Sequence, residues 1–260
     1  MSILNKQLVN FDKPFEEIWD IPVYRVFSLE KFLTSLNENM IFLIKTKLWE
    51  DPFEAFLQKQ LIWKADGSEN YPFADYLVEN FFGQCWTFLK ESNFLWKIYA
   101  PNNDGIIVRS SLKKIYTLFV DNESNYGDFF LGKINYWEEN KIKEYFEAEE
   151  TVRELLSDKG ADLFLKSFFI KRKEFQEEQE VRLIYYSRNA YGKGIDITKN
   201  GFTLGKMHLF NELADELILD PRIDPIRQDS IINLIKKLGY NGPINKSTLF
   251  DTPVLRLRVK

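Results

Sequence analysis

The chain has 260 residues, a formal net charge of −4, 45% hydrophobic and 28% charged residues, and a 16% aromatic share that includes 23 Phe. That balance suits a soluble globular chain long enough to bury a full-sized core, and it argues against broad binding to nucleic acid or anionic membrane while leaving a local basic patch open. One Cys (Cys85) and one His (His208) exclude an internal disulfide and a Cys/His zinc site, and leave those two residues as the only Cys–His pair.

The N-terminus lacks the basic, apolar, small-residue pattern of a signal peptide, and no run approaches the ~20 apolar residues of a membrane span. A cytoplasmic location without membrane association is expected. "IPVYRVF" then reads as a strand by its β-branched and aromatic content. Ser28 stands as N-cap to "LEKFLTSL", whose apolar spacing is helical, and "MIFLIK" is a short apolar strand. In "LWEDPFEAFLQKQLI" Pro52 suits the first turn of a helix that Asp51 caps. "FGQCWTFL" is a strand, "ESNFLWKIYA" a helix, "NNDG" a turn and "GIIVRS" a strand.

"LGKINYW" reads as one strand, and the charged stretch after it as two helices broken near "DKG". "EVRLIYYS" and "ADELILD" are strands, "DPRIDP" a turn, and "RQDSIINLIKKLGY" a helix ending at Gly239. "TPVLRLRVK" alternates like an edge strand. No repeat or linker occurs, and no Gly-rich dinucleotide loop, P-loop or G-x-S-x-G elbow. Strands and helices mix without regular alternation, which predicts an α+β fold. The expected architecture is a single domain over 1–260, with an N-terminal arm at 1–20, a mixed or antiparallel sheet flanked by helices, and a two-helix insertion at about 138–175.

"VYRVFSLEKFL", "LWEDPFEA", "CWTFLKESNFLWKIYA", "GIIVRS", "KRKEFQEEQEVRLI" and "ADELILDPR", in that order, resemble the bacterial domain of unknown function DUF2971 over residues 22–250. The tryptophan-rich centre and the Glu-x-Glu-x-Arg piece carry most of that resemblance. The family implies one fold for all the pieces and no particular activity.

Four pieces can carry chemistry. Arg25 interrupts an apolar strand, on the face opposite Tyr24 and Val26, and needs either a carboxylate partner or an anionic ligand. Glu178 and Glu180 open a later strand. If the strand has begun by then, they share a face with Arg182, and like charges at that spacing raise one pKa. The alternative is a solvated helix end with a Glu180–Arg182 ion pair. Trp86 reads first as core, and the Thr87 hydroxyl bonds either to backbone or to a ribose. Asp51 and Glu54 read as an N-cap and a first-turn acid before they read as oxygen ligands for a metal.

The order Arg, Ser/Thr-bearing strand, Glu-x-Glu strand is similar to the arginine–serine–glutamate class of ADP-ribosyltransferases, and "EQEVRLIY" resembles that class's "E-x-E-V-L" strand. The resemblance implies NAD as substrate and no metal. Arg25 would hold the pyrophosphate, Glu180 the ribose 2′-hydroxyl and the developing oxocarbenium charge, and Glu178 the acceptor. Tyr24, Phe27 or Trp86 would stack on nicotinamide, and Thr87 would take the middle-strand hydroxyl's place. The usual Ser-Thr-Ser triplet is Cys85-Trp86-Thr87 here. An ADP-ribosyltransferase or NAD glycohydrolase, acting as a bacterial defence or toxin effector, is the expectation this gives. Glu180→Gln, being nearly isosteric, is expected to leave stability almost unchanged.

Two other classes stay open. One is a non-catalytic sensor or interaction module that binds a nucleotide-like ligand, or a protein partner through the acidic helices at 138–180. It expects Glu180 and Arg182 to satisfy each other. The other is a metal-dependent nuclease built from Asp51, Glu54, Glu178 and Glu180, which lacks a lysine beside those acids in the sequence.

Overall fold

A computed structural model of the chain describes residues 8–54, 56–59, 80–120, 127–155, 157, 160–187, 197–198, 201–205 and 209–254. Strand β1 (Leu8–Val9) and the short α1 (Phe15–Ile18) lead into β2 (Pro22–Ser28), α2 (Leu29–Asn37) and β3 (Met40–Lys45). Then come β4 (Phe81–Thr87), α3 (Asn93–Tyr99), β5 (Gly105–Ser111) and α4 (Leu112–Ile115), which continues as a π turn through Val120. Next are β6 (Gly127–Lys133), β7 (Asn135–Trp137), α5 (Glu139–Glu147), α6 (Glu149–Leu155), α7 (Gly160–Ser167) and β8 (Ile170–Arg172). A 3-10 helix over Lys173–Glu178 precedes β9 (Glu180–Ser187). The chain continues through β10 (Ile197–Thr198), β11 (Gly201–Gly205), α8 (Leu209–Leu213), β12 (Glu216–Leu219), α9 (Pro225–Lys237) and β13 (Ile244–Lys246).

The fold is α+β, as expected. Eleven strands among the described residues form one mixed sheet in the order β1-β6-β9-β4-β2-β5-β12-β13, with β3 joining β4 to the β11–β10 hairpin. The pairs β1–β6 and β12–β13 are parallel and the other pairs of this sheet antiparallel. The Ser28 cap follows the sequence. Ser28 accepts from Lys31 N, and Ser92 Oγ from Leu95 N at 3.1 Å. Gly239, at φ 97°, sits just beyond α9 in the left-handed region that glycine tolerates.

Five expectations differ from the structure. The arm at 1–20 is partly built in, because β1 finds the free edge of β6. "LGKINYW" splits into β6 and β7, and β7 leaves the sheet to pair with β8 in parallel. The insertion holds three helices rather than two, and its last residues form β8 and the 3-10 helix. Around Asp51 the chain makes turns and 3-10 helix instead of the expected capped α-helix, although Asp51 Oδ1 does accept from Phe53 N at 3.0 Å. The closing strand expected at 252–260 is not seen at 251–254, and 255–260 lie outside the described residues. Among the described residues the edge position beyond β12 is held by the short polar β13.

One feature of the sheet matters most for the site. Strand β9 covers one edge of β4 along its whole length. The other edge is shared: β2 meets it through Tyr24↔Thr87, and β3 through Gly83 and Phe82. The sheet therefore forks at β4. On one face lies the larger core, with Val23, Phe82, Trp86, Val181 and Leu183 under α2, α4 and α8. The opposite face carries two separate apolar clusters. The insertion packs Phe164, Phe168 and Phe169 on Phe130 and Ile184, and α3 packs Trp96 on Tyr24 and Ile107.

The "DPR" turn after β12 holds α3 in place. Asp220, fully buried, accepts from Gly105 N at 3.2 Å and from Arg222 N at 2.9 Å. The Arg222 guanidinium then donates to Trp96 O and Ala100 O at the end of α3, as second donors beside Ala100 N and Asn103 N. Arg222→Ala removes those donors and is expected to cost about 1–3 kcal/mol. In urea titration that appears as a lower midpoint with an unchanged slope.

Candidate functional site

The register Tyr24↔Thr87↔Glu180 runs across β2, β4 and β9. Paired residues share a face, so Glu180, Arg182, Cys85 and Thr87 all point toward the side carrying the insertion and α3. Trp86 pairs with Val181 and points the other way. It is 2% exposed in the larger core and donates its Nε1 to Gln84 at 2.9 Å. Alternation thus separates Trp86 from Glu180.

Around Arg182 lies a buried charged group. This guanidinium has no exposure, and its plane lies over the Trp49 ring with Cζ 4.3 Å from the centroid. Its Nε donates to Glu180 Oε1 at 3.0 Å, Nη1 to Phe168 O at 2.6 Å, and Nη2 to Glu180 Oε2 at 3.0 Å and to Glu54 Oε1. Lys171, on β8, reaches Glu178 at 2.6 Å, Glu54 at 2.8 Å and Glu180 at 3.2 Å. Three glutamates thus face two cations in a space from which water is nearly excluded. Gly83 makes room for Trp49, because a Cβ there would lie 2.5 Å from its ring.

Glu178 and Glu180 reach the same lysine without lying on one strand. Glu178 ends the 3-10 helix, Gln179 takes a left-handed conformation at φ 45°, and β9 begins at Glu180. Thr87 Oγ1 donates to Glu178 O and accepts from Leu89 N at 2.9 Å, which is the backbone role open to it. Glu180 N donates to Tyr136 Oη at 2.8 Å.

The two carboxyls are driven in opposite directions. Burial pushes both up. At Glu180 the Arg182 and Lys171 charges outweigh burial and hold the carboxyl at about 2. At Glu178 burial prevails over Lys171, and the carboxyl stays raised. Burial pushes the Cys85 thiol well up, and Glu180 adds to it, so Cys85 is a thiol and no thiolate nucleophile at neutral pH. His208 lies outside the described residues.

Arg25 occupies the fork. Its Nη1 donates to Cys85 O at 2.7 Å, a carbonyl on the edge that β2 and β3 share, and its guanidinium lies 5.0 Å from the Phe27 ring centroid. Burial lowers it to about 10, which leaves it a cation at neutral pH, with Cys85, Tyr99 and Glu180 acting on it. Its Nε is buried without a hydrogen-bond partner. Tyr99, on α3, is 45% exposed, yet its hydroxyl is pushed up by burial and by Glu178, Cys85 and Glu180. Alternation starts Arg25 on the face opposite Glu180, yet at the fork it comes within electrostatic reach of Tyr99 and Glu180, and Tyr99 also feels Glu178.

Sequence reasoning did not single out Lys171, Tyr99 or Trp49, nor Glu54 as a partner of Arg182. Lys171 and Tyr99 sit in stretches where charged or aromatic neighbours are dense, so only tertiary contact distinguishes them. Lys171 supplies the lysine that the nuclease reading lacked. The acids are nevertheless bound to protein cations, since Asp51 pairs with Arg172 at 2.9 Å and the glutamates pair with Lys171 and Arg182. Among the described residues no cluster of three or more His, Cys, Asp or Glu side chains is arranged to hold a metal ion, and no helix is long and apolar enough to cross a membrane.

A family model described as protein of unknown function (DUF2971) matches residues 95–183. The matched span holds Tyr99, Lys171, Glu178, Glu180 and Arg182, while Arg25, Thr87 and the other early pieces precede it. Solved structures of DarT from Thermus sp. 2.9 are similar to the chain. The complex with NAD+ has 9% identity and a TM-score of 0.39, with 87% of this chain and 95% of that chain covered. The complex with ADP-ribosylated ssDNA has 10% identity and a TM-score of 0.38, with 87% and 94% covered. No curated protein matches the sequence. At these values the reading of the site rests on this chain's own residues.

Two consequences follow for stability. Breaking a buried pair leaves a charge uncompensated, so Glu180→Gln is expected to cost about 3–5 kcal/mol despite its near-isosteric shape, contrary to the expectation from size alone. Glu180 is depressed below its unfolded value of ~4.3, so its contribution is full above that pH and is lost as pH falls toward 2. Glu178 is raised, so its ionisation opposes folding as pH climbs through the unfolded value. Urea unfolding at neutral pH should therefore show a large loss for Glu180→Gln and none for Glu178→Gln.

Proposed function

We propose that the protein is an NAD-using enzyme of the ADP-ribosyltransferase or NAD glycohydrolase kind, with its reactive groups at the fork of the sheet. The observation that supports this reading is that Arg25, Thr87 and Glu180, far apart in sequence, lie on the neighbouring strands β2, β4 and β9, with Glu178 at the end of the 3-10 helix just before β9. Arg25 offers a fixed cation with a free Nε, suited to an anionic group such as a pyrophosphate. Tyr99 gives aromatic surface near it, while Tyr24 packs with Trp96 and Ile107 on the other face.

The chemistry divides between the two acids. As the bond between nicotinamide nitrogen and ribose C1′ breaks, positive charge builds on the ribose and nicotinamide leaves with the electron pair. Glu180, ionised throughout the working range, lowers the energy of that charge, with its influence strengthened by exclusion of water. An acceptor hydroxyl or water then bonds to C1′ and gives its proton to a base. Glu178, whose carboxyl is shifted toward neutrality, is the residue suited to take it. Engagement of a ribose hydroxyl by Glu180 requires Lys171 to yield its place on Oε2.

One observation favours the second reading, a non-catalytic binding module. Both oxygens of Glu180 already accept from Arg182, and Oε2 also from Lys171. In that reading the charged group fixes the insertion to the sheet and does nothing further.

The test is to incubate the protein with NAD and follow nicotinamide release or self-modification. The enzymatic reading expects turnover in the wild type, a loss of ~100-fold or more in Glu178→Gln with folding retained, and a raised KM in Arg25→Ala. A wild type that neither releases nicotinamide nor gains thermal stability with NAD contradicts it and leaves the binding module.

A further inference from the structure

A cavity of about 580 Å³ lies at the end of the sheet where β4 and β9 meet, within the size range of small-molecule sites. It reaches the charged group only through Glu180. Its apolar walls include Phe11, Phe88 and Ile18, and its polar groups include Lys13, Lys133, Tyr136 and Gln179.

The polar groups are mostly donors. Lys13 and Lys133 are exposed and make no ion pair among the described residues. The Tyr136 oxygen accepts from Glu180 N, which leaves its own hydrogen to donate. The Gln179 amide is exposed and adds a further donor. Asp12 is the one wall carboxylate facing this set alone, because Glu180 is neutralised by Arg182 and Lys171. Two phenylalanines lining the same cavity as a surplus of donors suit a ligand with a flat apolar body and an anionic head.

We infer that this cavity binds a small aromatic anion, its ring against Phe11 and Phe88 and its oxyanion between Lys13, Lys133 and Tyr136. The site goes beyond the NAD reading and does not depend on it. A bound oxyanion that takes the Tyr136 hydroxyl hydrogen polarises the oxygen that Glu180 N donates to, so occupancy is felt at the start of β9.

The experiment uses 1-naphthyl phosphate, followed by its fluorescence and by titration calorimetry, with inorganic phosphate and 1-naphthol as controls. The expected result is saturable binding in about the millimolar range or tighter, with each control weaker. The double variant Lys13→Glu, Lys133→Glu changes exposed residues only, and should weaken binding at least about tenfold with an unchanged unfolding midpoint. Tyr136→Phe should weaken it as well. Absence of saturable binding by the wild type overturns the inference, and so does binding that the charge reversal leaves unaltered. Binding of naphthol as tight as that of the phosphate overturns the anionic part and with it the site. NAD turnover measured in parallel decides the NAD reading separately.

Discussion

A guanidinium withdrawn completely from water must be met on every side, and Arg182 is such a group. Desolvating it costs several kcal/mol, which is recovered only if each N–H finds an acceptor and the charge finds carboxylates. Meeting that requirement ties distant parts of the chain to one point: Glu54 from the turns after β3, Glu180 from β9 itself, Phe168 O from the end of α7, and the Trp49 ring above. Lys171 then balances the excess of acid that those partners bring. The insertion is thus joined to the sheet by charge as well as by its phenylalanines.

The same arrangement sets the chemistry available. Glu180 is pinned as an anion, while Glu178, sharing the lysine but not the arginine, is left easier to protonate. Two carboxyls with opposed tendencies side by side are what acid–base work on a developing cation requires. The fork at β4 brings Arg25 to the same region, because an unpaired stretch of strand edge leaves the Cys85 carbonyl for a side chain to take. The Asp220–Arg222 turn fixes α3, and α3 carries Tyr99 to the opposite wall.

Much of the fold was legible because it rests on local chemistry. Ser28 and Gly239 mark helix ends through their own side chain or its absence, and β2, β4, β5, β9 and β12 announce themselves by β-branched and aromatic runs. Long-range pairing was not legible. Nothing local in "NYW" says that it leaves the sheet for "IKR", and β13 is too short and polar to signal a strand that pairs only because the edge of β12 is free. At the site, the Glu180–Arg182 pair could be read from spacing, but its burial could not, and burial turns a weak surface pair into a strong constraint. Trp86 shows the reverse. Its place on the larger core follows from alternation once Thr87 and Glu180 are known to share a face.

The central claim is that one buried group shifts the protonation of two neighbouring glutamates in opposite directions. Carbon-13 NMR of protein labelled at the glutamate carboxyl carbons, assigned with Glu178→Gln and Glu180→Gln, measures both directly as pH is lowered. The account predicts that Glu180 remains ionised to about pH 2, or to the pH at which the fold is lost, while Glu178 takes its proton above the ordinary carboxylate range. Both residues titrating together near ~4.3, as solvated carboxyls do, would contradict it.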